Sequence, residues 1–173
     1  MPDTPAYDAP VTAESLEQVG LFGALDRDVL TMLATSLHTM DMGPGDLVFR
    51  EGDTSSEMYV VLRGEFEVLK RSKRGVDARV AMLGTGDWFG EMSILDVQPR
   101  SASVRSLAAS RLLIVTRVDL ETLYRRDVKA YSLLVLNVAR ELSRRLRVAD
   151  GILADLVASL MDDVMAGRHG SAT

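Results

Sequence analysis

The chain has 173 residues, a formal net charge of −5 at pH 7, no cysteine and two histidines. Without cysteine there are no disulfides, thiolate metal sites, iron–sulfur clusters or cysteine nucleophiles, and the isolated His38 and His169 offer neither a metal cage nor a base–nucleophile pair. The length suits one well-buried domain with an appendage, the acidic balance argues against a dominant nucleic-acid surface, and no apolar run approaches the roughly 18 residues that cross a bilayer.

Residues 1–11 are Pro-rich and polar and are expected to form a disordered lead. That segment has neither a basic n-region nor an apolar h-region, so a cytoplasmic protein is expected, in keeping with the missing cysteines. From Thr12, the residues Leu16, Val19, Leu21, Leu25, Val29, Leu30, Leu33 and Leu37 recur at three- and four-residue steps. Breaks near Gly20 and Gly23 divide this pattern into two or more short helices.

Turn chemistry begins at Met42-Gly-Pro-Gly-Asp46, and from there to Thr116 the period is two. Strands are expected at Asp46–Arg50, Tyr59–Leu62, Glu65–Lys70, Arg79–Leu83, Ser103–Leu107 and Arg111–Thr116, with Arg71–Asp77 a basic, solvated hairpin loop. Short strands at regular spacing with glycine turns indicate a small sandwich or barrel. Trp88 and Phe89 follow a glycine turn and are expected in its core, as are the nine scattered methionines. Asp119 is expected to cap a short helix and Asp127 a much longer one, over 127–165, before a flexible tail at 166–173. The expected fold class is therefore α+β: N-terminal helices, a small antiparallel β-barrel, flanking helices within 12–126, and a long C-terminal helix.

The chemistry concentrates between Leu83 and Val104. Gly90 permits close backbone approach, and Glu91-Met-Ser-Ile-Leu95 can form one helical turn with free N–H groups. Nine residues after Glu91 stand Arg100 and Ser101. An arginine fork with a hydroxyl and a helix start suits a phosphate, while Glu91 suits a sugar hydroxyl. Together they describe a ribose joined to a phosphate.

Phe89-Gly-Glu-Met-Ser-Ile-Leu95 followed by Pro99-Arg-Ser-Ala-Ser-Val104 resembles the phosphate-binding cassette of cyclic-nucleotide-binding domains, as found in catabolite activator proteins, protein kinase A regulatory subunits and nucleotide-gated channels. Pro44-Gly-Asp46, Phe49-Arg-Glu-Gly-Asp53 and Val61-Leu-Arg-Gly64 extend the resemblance over roughly residues 16–150. It implies a jelly-roll barrel in which Glu91 accepts the ribose 2′-hydroxyl and Arg100 pairs with the cyclic phosphate. Ser101 donates to phosphate or meets the base, and the backbone around Gly90, Met92 and Ser93 lines the phosphate. The ligand implied is cAMP or cGMP, with no metal and no further cofactor. The competing reading is a degenerate cassette in which Arg100 and Glu91 only neutralise each other.

Val135, Ala139, Leu142, Leu146, Ala149, Leu153, Leu156 and Leu160 step by four and three alternately. This is a heptad seam, with Ala139, Leu146, Leu153 and Leu160 at a and the others at d, and it predicts a coiled-coil homodimer. In the activators the equivalent helix forms a parallel dimer, and Ser143-Arg-Arg-Leu-Arg-Val148 resembles its central stretch. Where those proteins place two hydroxyls against adenine, this chain has Ala149 and Asp150. Asp150 can accept from guanine, or pair with Arg145 of a second copy across the g–e′ spacing. The activators continue into a winged helix-turn-helix, whereas the chain given closes on a polar tail, so no DNA-binding domain is expected.

The resulting expectation is a stand-alone, non-enzymatic cyclic-nucleotide sensor that signals through a homodimer to an unidentified effector protein, without membrane association. The alternatives are a ligand-free dimeric adaptor of the same fold and the sensor fragment of a longer transcription regulator. An enzyme is disfavoured because neither a metal cluster nor a paired general acid and base can be assembled from these residues.

Overall fold

The computed structural model describes residues 10–169, with side chains described as far as Asp162. Residues 1–9 of the expected lead and 170–173 of the expected tail lie outside the described residues. Two compact units divide between Val135 and Leu136.

The first unit opens with α1 (Ala13–Glu17), a 3-10 turn over Gly20–Phe22 and α2 (Arg27–Ser36). Thr12 starts α1 with a reciprocal cap: its hydroxyl accepts from Ser15 N at 3.2 Å, and Ser15 Oγ accepts from Thr12 N at 3.0 Å. The leucine pattern that predicts these helices is their buried face, with Leu16, Leu21, Phe22, Leu30 and Leu33 all inside.

Eight strands follow among the described residues: β1 (His38–Met42), β2 (Leu47–Phe49), β3 (Glu57–Arg63), β4 (Phe66–Arg71), β5 (Asp77–Leu83), β6 (Trp88–Phe89), β7 (Ser103–Ser106) and β8 (Ser110–Thr116). The single-turn helix α3 (Met92–Leu95) interrupts them after β6. They form two four-stranded antiparallel sheets, ordered β1-β8-β3-β6 and β2-β7-β4-β5. Alternation turns Tyr59, Val61, Phe66, Leu83, Phe89, Val104 and Leu112 into the space between the sheets, where they form one core. Each such large side chain contributes about 1.5–3 kcal/mol on burial. At Gly64, φ is +100° and an added Cβ would stand 1.9 Å from Ser110 Oγ, so the β3–β4 turn can cross β8 only with glycine there.

The expected strands are present, but two more exist. β1 carries no distinctive period of its own and directly continues the leucine pattern that ends at Leu37. Pairing with β8, His38 opposite Ile114 through Met42 opposite Ser110, makes it a strand. β6 has two residues, too few for any period to show.

Beyond the sheets lie α4 (Arg117–Arg126) and α5 (Val128–His169). The expected cap of α4 is corrected: Thr116 is the cap, accepting from Asp119 N at 3.2 Å, and Asp119 Oδ2 returns by accepting from Thr116 N at 2.8 Å. A reciprocal box needs the hydroxyl at the cap and the acid three residues in, which is how the pair is arranged. Asp127 Oδ1 accepts from Ala130 N at 2.9 Å at the head of α5. That helix continues to His169, beyond the expected end at Met165, so residues 166–169 are helical rather than tail.

Among the methionines Met42 and Met58 are buried, but Met82, Met92 and Met161 are exposed. They lie on an edge strand, at the cassette rim and on α5, where no core forms around them.

Candidate functional site

The segment from β6 through α3 to β7 returns Arg100 to the interior beside Gly90. Gly90 has φ +84°, and a Cβ there would stand 2.6 Å from Arg100 Nη1 and 3.1 Å from the Glu57 carbonyl oxygen. Close approach to the guanidinium therefore requires glycine. Glu91 follows at the head of α3, and Glu91, Ser93 and Arg100 are 4%, 3% and 2% exposed.

Four neutral oxygens receive the Arg100 guanidinium. Nη1 donates to Gly90 O at 2.9 Å and Ser93 Oγ at 3.4 Å; Nη2 donates to Ser55 Oγ at 2.9 Å and Glu57 O at 2.7 Å. Nε is buried with no hydrogen-bond partner among the described residues. Beneath it lies an aromatic floor: the guanidinium carbon is 4.0 Å from the Phe49 ring centroid, and Phe49, Tyr59 and Phe89 pack with centroids 5.4–6.0 Å apart. Burial lowers the Arg100 pKa, opposed by Tyr59, Glu57 and Glu91; arginine nevertheless stays a cation. Burial, then its hydrogen bond to Glu57 Oε2 at 2.7 Å, raises the Tyr59 pKa and keeps the phenol neutral.

The backbone of Arg100 is fixed as firmly as its side chain. Its N–H donates to Asp53 O at 2.8 Å and its carbonyl accepts from Gly52 N at 2.9 Å, locking the cassette to the turn after β2. In that turn Glu51 accepts from Lys70 Nζ at 2.7 Å and from Arg71 N at 3.0 Å. The Arg71 N–H first, and the Lys70 ammonium next, hold the Glu51 carboxyl below the usual carboxylate range. Lys70 Nζ also donates to Ser101 O at 2.5 Å.

Of the residues singled out in the sequence, Gly90, Glu91, Ser93 and Arg100 converge on this buried point. Met92 and Ser101 stand at its rim, with Ser101 Oγ 3.8 Å from Met92 Sδ. Ala149 and Asp150 are exposed on α5 in the second unit. Sequence reasoning missed Ser55, Glu57, Phe49 and Tyr59 as the surroundings of Arg100. Glu57 serves through its main-chain carbonyl, which no side-chain pattern can reveal.

Along α5, Leu146, Leu153, Leu156 and Leu160 are 55–61% exposed, Ala139 and Ala149 are exposed, and Val135 and Leu142 are half-buried. Ile152 and Val157, at the g and e positions beside the seam, are also exposed and widen it; a template restricted to a and d overlooks them. Arg145 Nε lies 2.8 Å from Glu141 Oε1, so a pair with Asp150 of a second copy would compete with a bond inside the helix.

A buried cation on neutral oxygens, a carboxylate at the head of a helical turn and an aromatic floor thus stand together within a double antiparallel sheet. The family model for the cyclic nucleotide-binding domain matches residues 40–127, half of the chain, and the chain belongs to that family. It is 30% identical over 144 residues to the CRP-like cAMP-activated global transcriptional regulator of Mycobacterium tuberculosis, covering 83% of this chain and 62% of that protein. To the cyclic AMP receptor protein of Thermus thermophilus it is 38% identical over 106 residues, 61% of this chain and 47% of that one. The chain thus spans about half to three-fifths of the length of these two curated relatives. Among solved structures, a cyclic nucleotide-binding domain from Methylobacillus flagellatus superposes with a TM-score of 0.74 at 25% identity, covering 83% of this chain and 81% of that one. The Thermus thermophilus catabolite activator protein superposes at 0.70 with 32% identity, over 80% and 63% of the two chains.

Proposed function

We propose that the protein is a cytoplasmic cyclic-nucleotide sensor, with cAMP ahead of cGMP as ligand, which forms a homodimer along α5 and reports to an effector protein without catalysing a reaction. The observation that carries this reading is Arg100, a buried cation whose four hydrogen bonds all end on neutral oxygens. Moving such a charge out of water is costly unless an anion or equivalent compensation accompanies it. A cyclic phosphate supplies that anion, and Nε–H is a donor still unengaged. Glu91, buried beside Gly90, accepts the ribose 2′-hydroxyl. Charge-assisted hydrogen bonds contribute about 1.5–3 kcal/mol each, so these two residues account for much of the roughly 8 kcal/mol behind a micromolar affinity.

The preference for cAMP follows the cAMP-activated regulator to which the chain is similar. The dimer rests on the exposed leucines of α5, whose burial against a second copy would remove a continuous apolar stripe from water.

Thermal unfolding with and without nucleotide tests the reading. Ligand at about 100 times its Kd stabilises a protein by about 2.7 kcal/mol, which for this size raises Tm by about 5–10 °C. A rise with cAMP exceeding that with cGMP at equal concentration is expected. No rise with either would favour a ligand-free dimeric adaptor.

A further inference from the structure

The sheet ordered β2-β7-β4-β5 ends on β5, which pairs with β4 alone. The main-chain N–H and C=O groups along its other side therefore have no strand beside them among the described residues. Every residue from Lys70 near the end of β4 to Met82 in β5 is exposed. On β5 and the turn before it, Val76, Val80 and Met82 are 65%, 59% and 50% exposed. Val80 falls where the register with β4 slips, between Arg79 opposite Leu69 and Ala81 opposite Val68. The same ribbon is basic in a chain whose net charge is −5. Lys70, Arg71, Lys73, Arg74 and Arg79 lie along it with Asp77 as its one carboxylate. Two acids reach it from outside: Glu51 accepts from Lys70 Nζ, and Glu67, held by Arg105 Nε at 2.8 Å, stands 3.8 Å from Arg79. With both acids counted, and Arg105 with them, cations still outnumber carboxylates two to one.

An open edge is blunted against indiscriminate pairing by charge and by an irregular register, and β5 carries both. Positive charge repels a second copy of the same edge and attracts an acidic strand. When an extended segment adds to such an edge, main-chain hydrogen bonds supply affinity and alternate side chains supply selection. We propose that β5 is a docking edge for an acidic, extended segment of a partner protein. The segment's carboxylates meet Arg79 and the basic turn at Lys73 and Arg74, and its apolar side chains lie beside Val80 and Met82. The site lies apart from Arg100 and makes no use of nucleotide binding, so it stands or falls on its own.

The test is a titration of the full chain with a capped peptide of alternating glutamate and valine, about seven residues long to match β5. Hydrogen exchange is followed at the backbone amides of that strand. Binding with Kd below about 100 μM is expected. At peptide about ten times Kd, exchange should slow about tenfold at alternate amides between Asp77 and Met82. The turn is closed by hydrogen bonds that join Ser72 to Gly75 and Val76 and that use neither Lys73 nor Arg74. The double substitution Lys73→Glu with Arg74→Glu therefore leaves the fold intact and is expected to weaken binding about tenfold. The matching peptide of lysine and valine is expected not to bind, nor are vesicles of phosphatidylserine and phosphatidylcholine. Equal affinity for the two peptides, no slowing of exchange on β5, or binding of the vesicles in place of the acidic peptide overturns the proposal.

Discussion

Arg100 carries its charge into the interior on the Gly90 and Glu57 carbonyls and the Ser55 and Ser93 hydroxyls. Gly90 makes the approach possible, and adding one carbon there sets a methyl group 2.6 Å from the guanidinium at a positive φ. Gly90→Ala is expected to cost about 1–3 kcal/mol of stability, read from urea unfolding, and to abolish nucleotide binding by displacing Arg100. Glu91 and Arg100 could be singled out from the sequence because the chemistry expected of each lies in its own side chain. The shell around Arg100 could not, since a carbonyl such as that of Glu57 has no residue type and is aimed only by the fold. A second residue with a clear expectation is Glu141, whose carboxyl accepts from Arg144 at 2.6 Å and Arg145 at 2.8 Å. The Arg144 hydrogen bond chiefly depresses its pKa below 4.5. A depressed carboxylate stabilises the folded state above its unfolded pKa and loses that contribution as pH falls through the folded value. Glu141→Gln should therefore lower helix stability at pH 7, with the difference from the parent vanishing as pH falls well below 4.5, as followed by circular dichroism at 222 nm.

At the scale of elements, α3 is the part of the cassette placed to pass on a change. Arg117 Nη2 at the start of α4 lies 3.4 Å from the Ile94 carbonyl at the end of α3. Arg117→Ala is expected to leave cAMP affinity within about threefold while reducing the ligand-induced change in amide hydrogen exchange along α4; an unchanged exchange response would remove Arg117 from the relay. The helices and most strands could be read from periodicity because their apolar faces are long enough to display it. β1 escaped that reading, as its identity resides in its partner β8, and β6 is shorter than any period. The spacing of Leu146, Leu153, Leu156 and Leu160 could be read from the sequence, whereas Ile152 and Val157 beside them became visible only as exposed apolar surface. Leu153→Glu sets a carboxylate at the centre of that surface and is expected to convert a homodimer to monomer at micromolar concentration in sedimentation velocity. The near-ultraviolet signal of the buried Trp88 should be retained, since the barrel is a separate unit.

For the molecule as a whole, the ligand shifts an equilibrium only by the difference in its affinity for the two states. The site at Arg100 must therefore bind an anion with appreciable free energy before any signal can leave it. Calorimetric titration of nucleotide-stripped protein with cAMP, beside the Arg100→Ala variant, tests this most directly. Binding near micromolar or tighter in the parent, weakened at least about a hundredfold in the variant, is the predicted result. Binding of equal strength in both proteins, or no heat in the parent accompanied by no thermal shift, would contradict the assignment of the site.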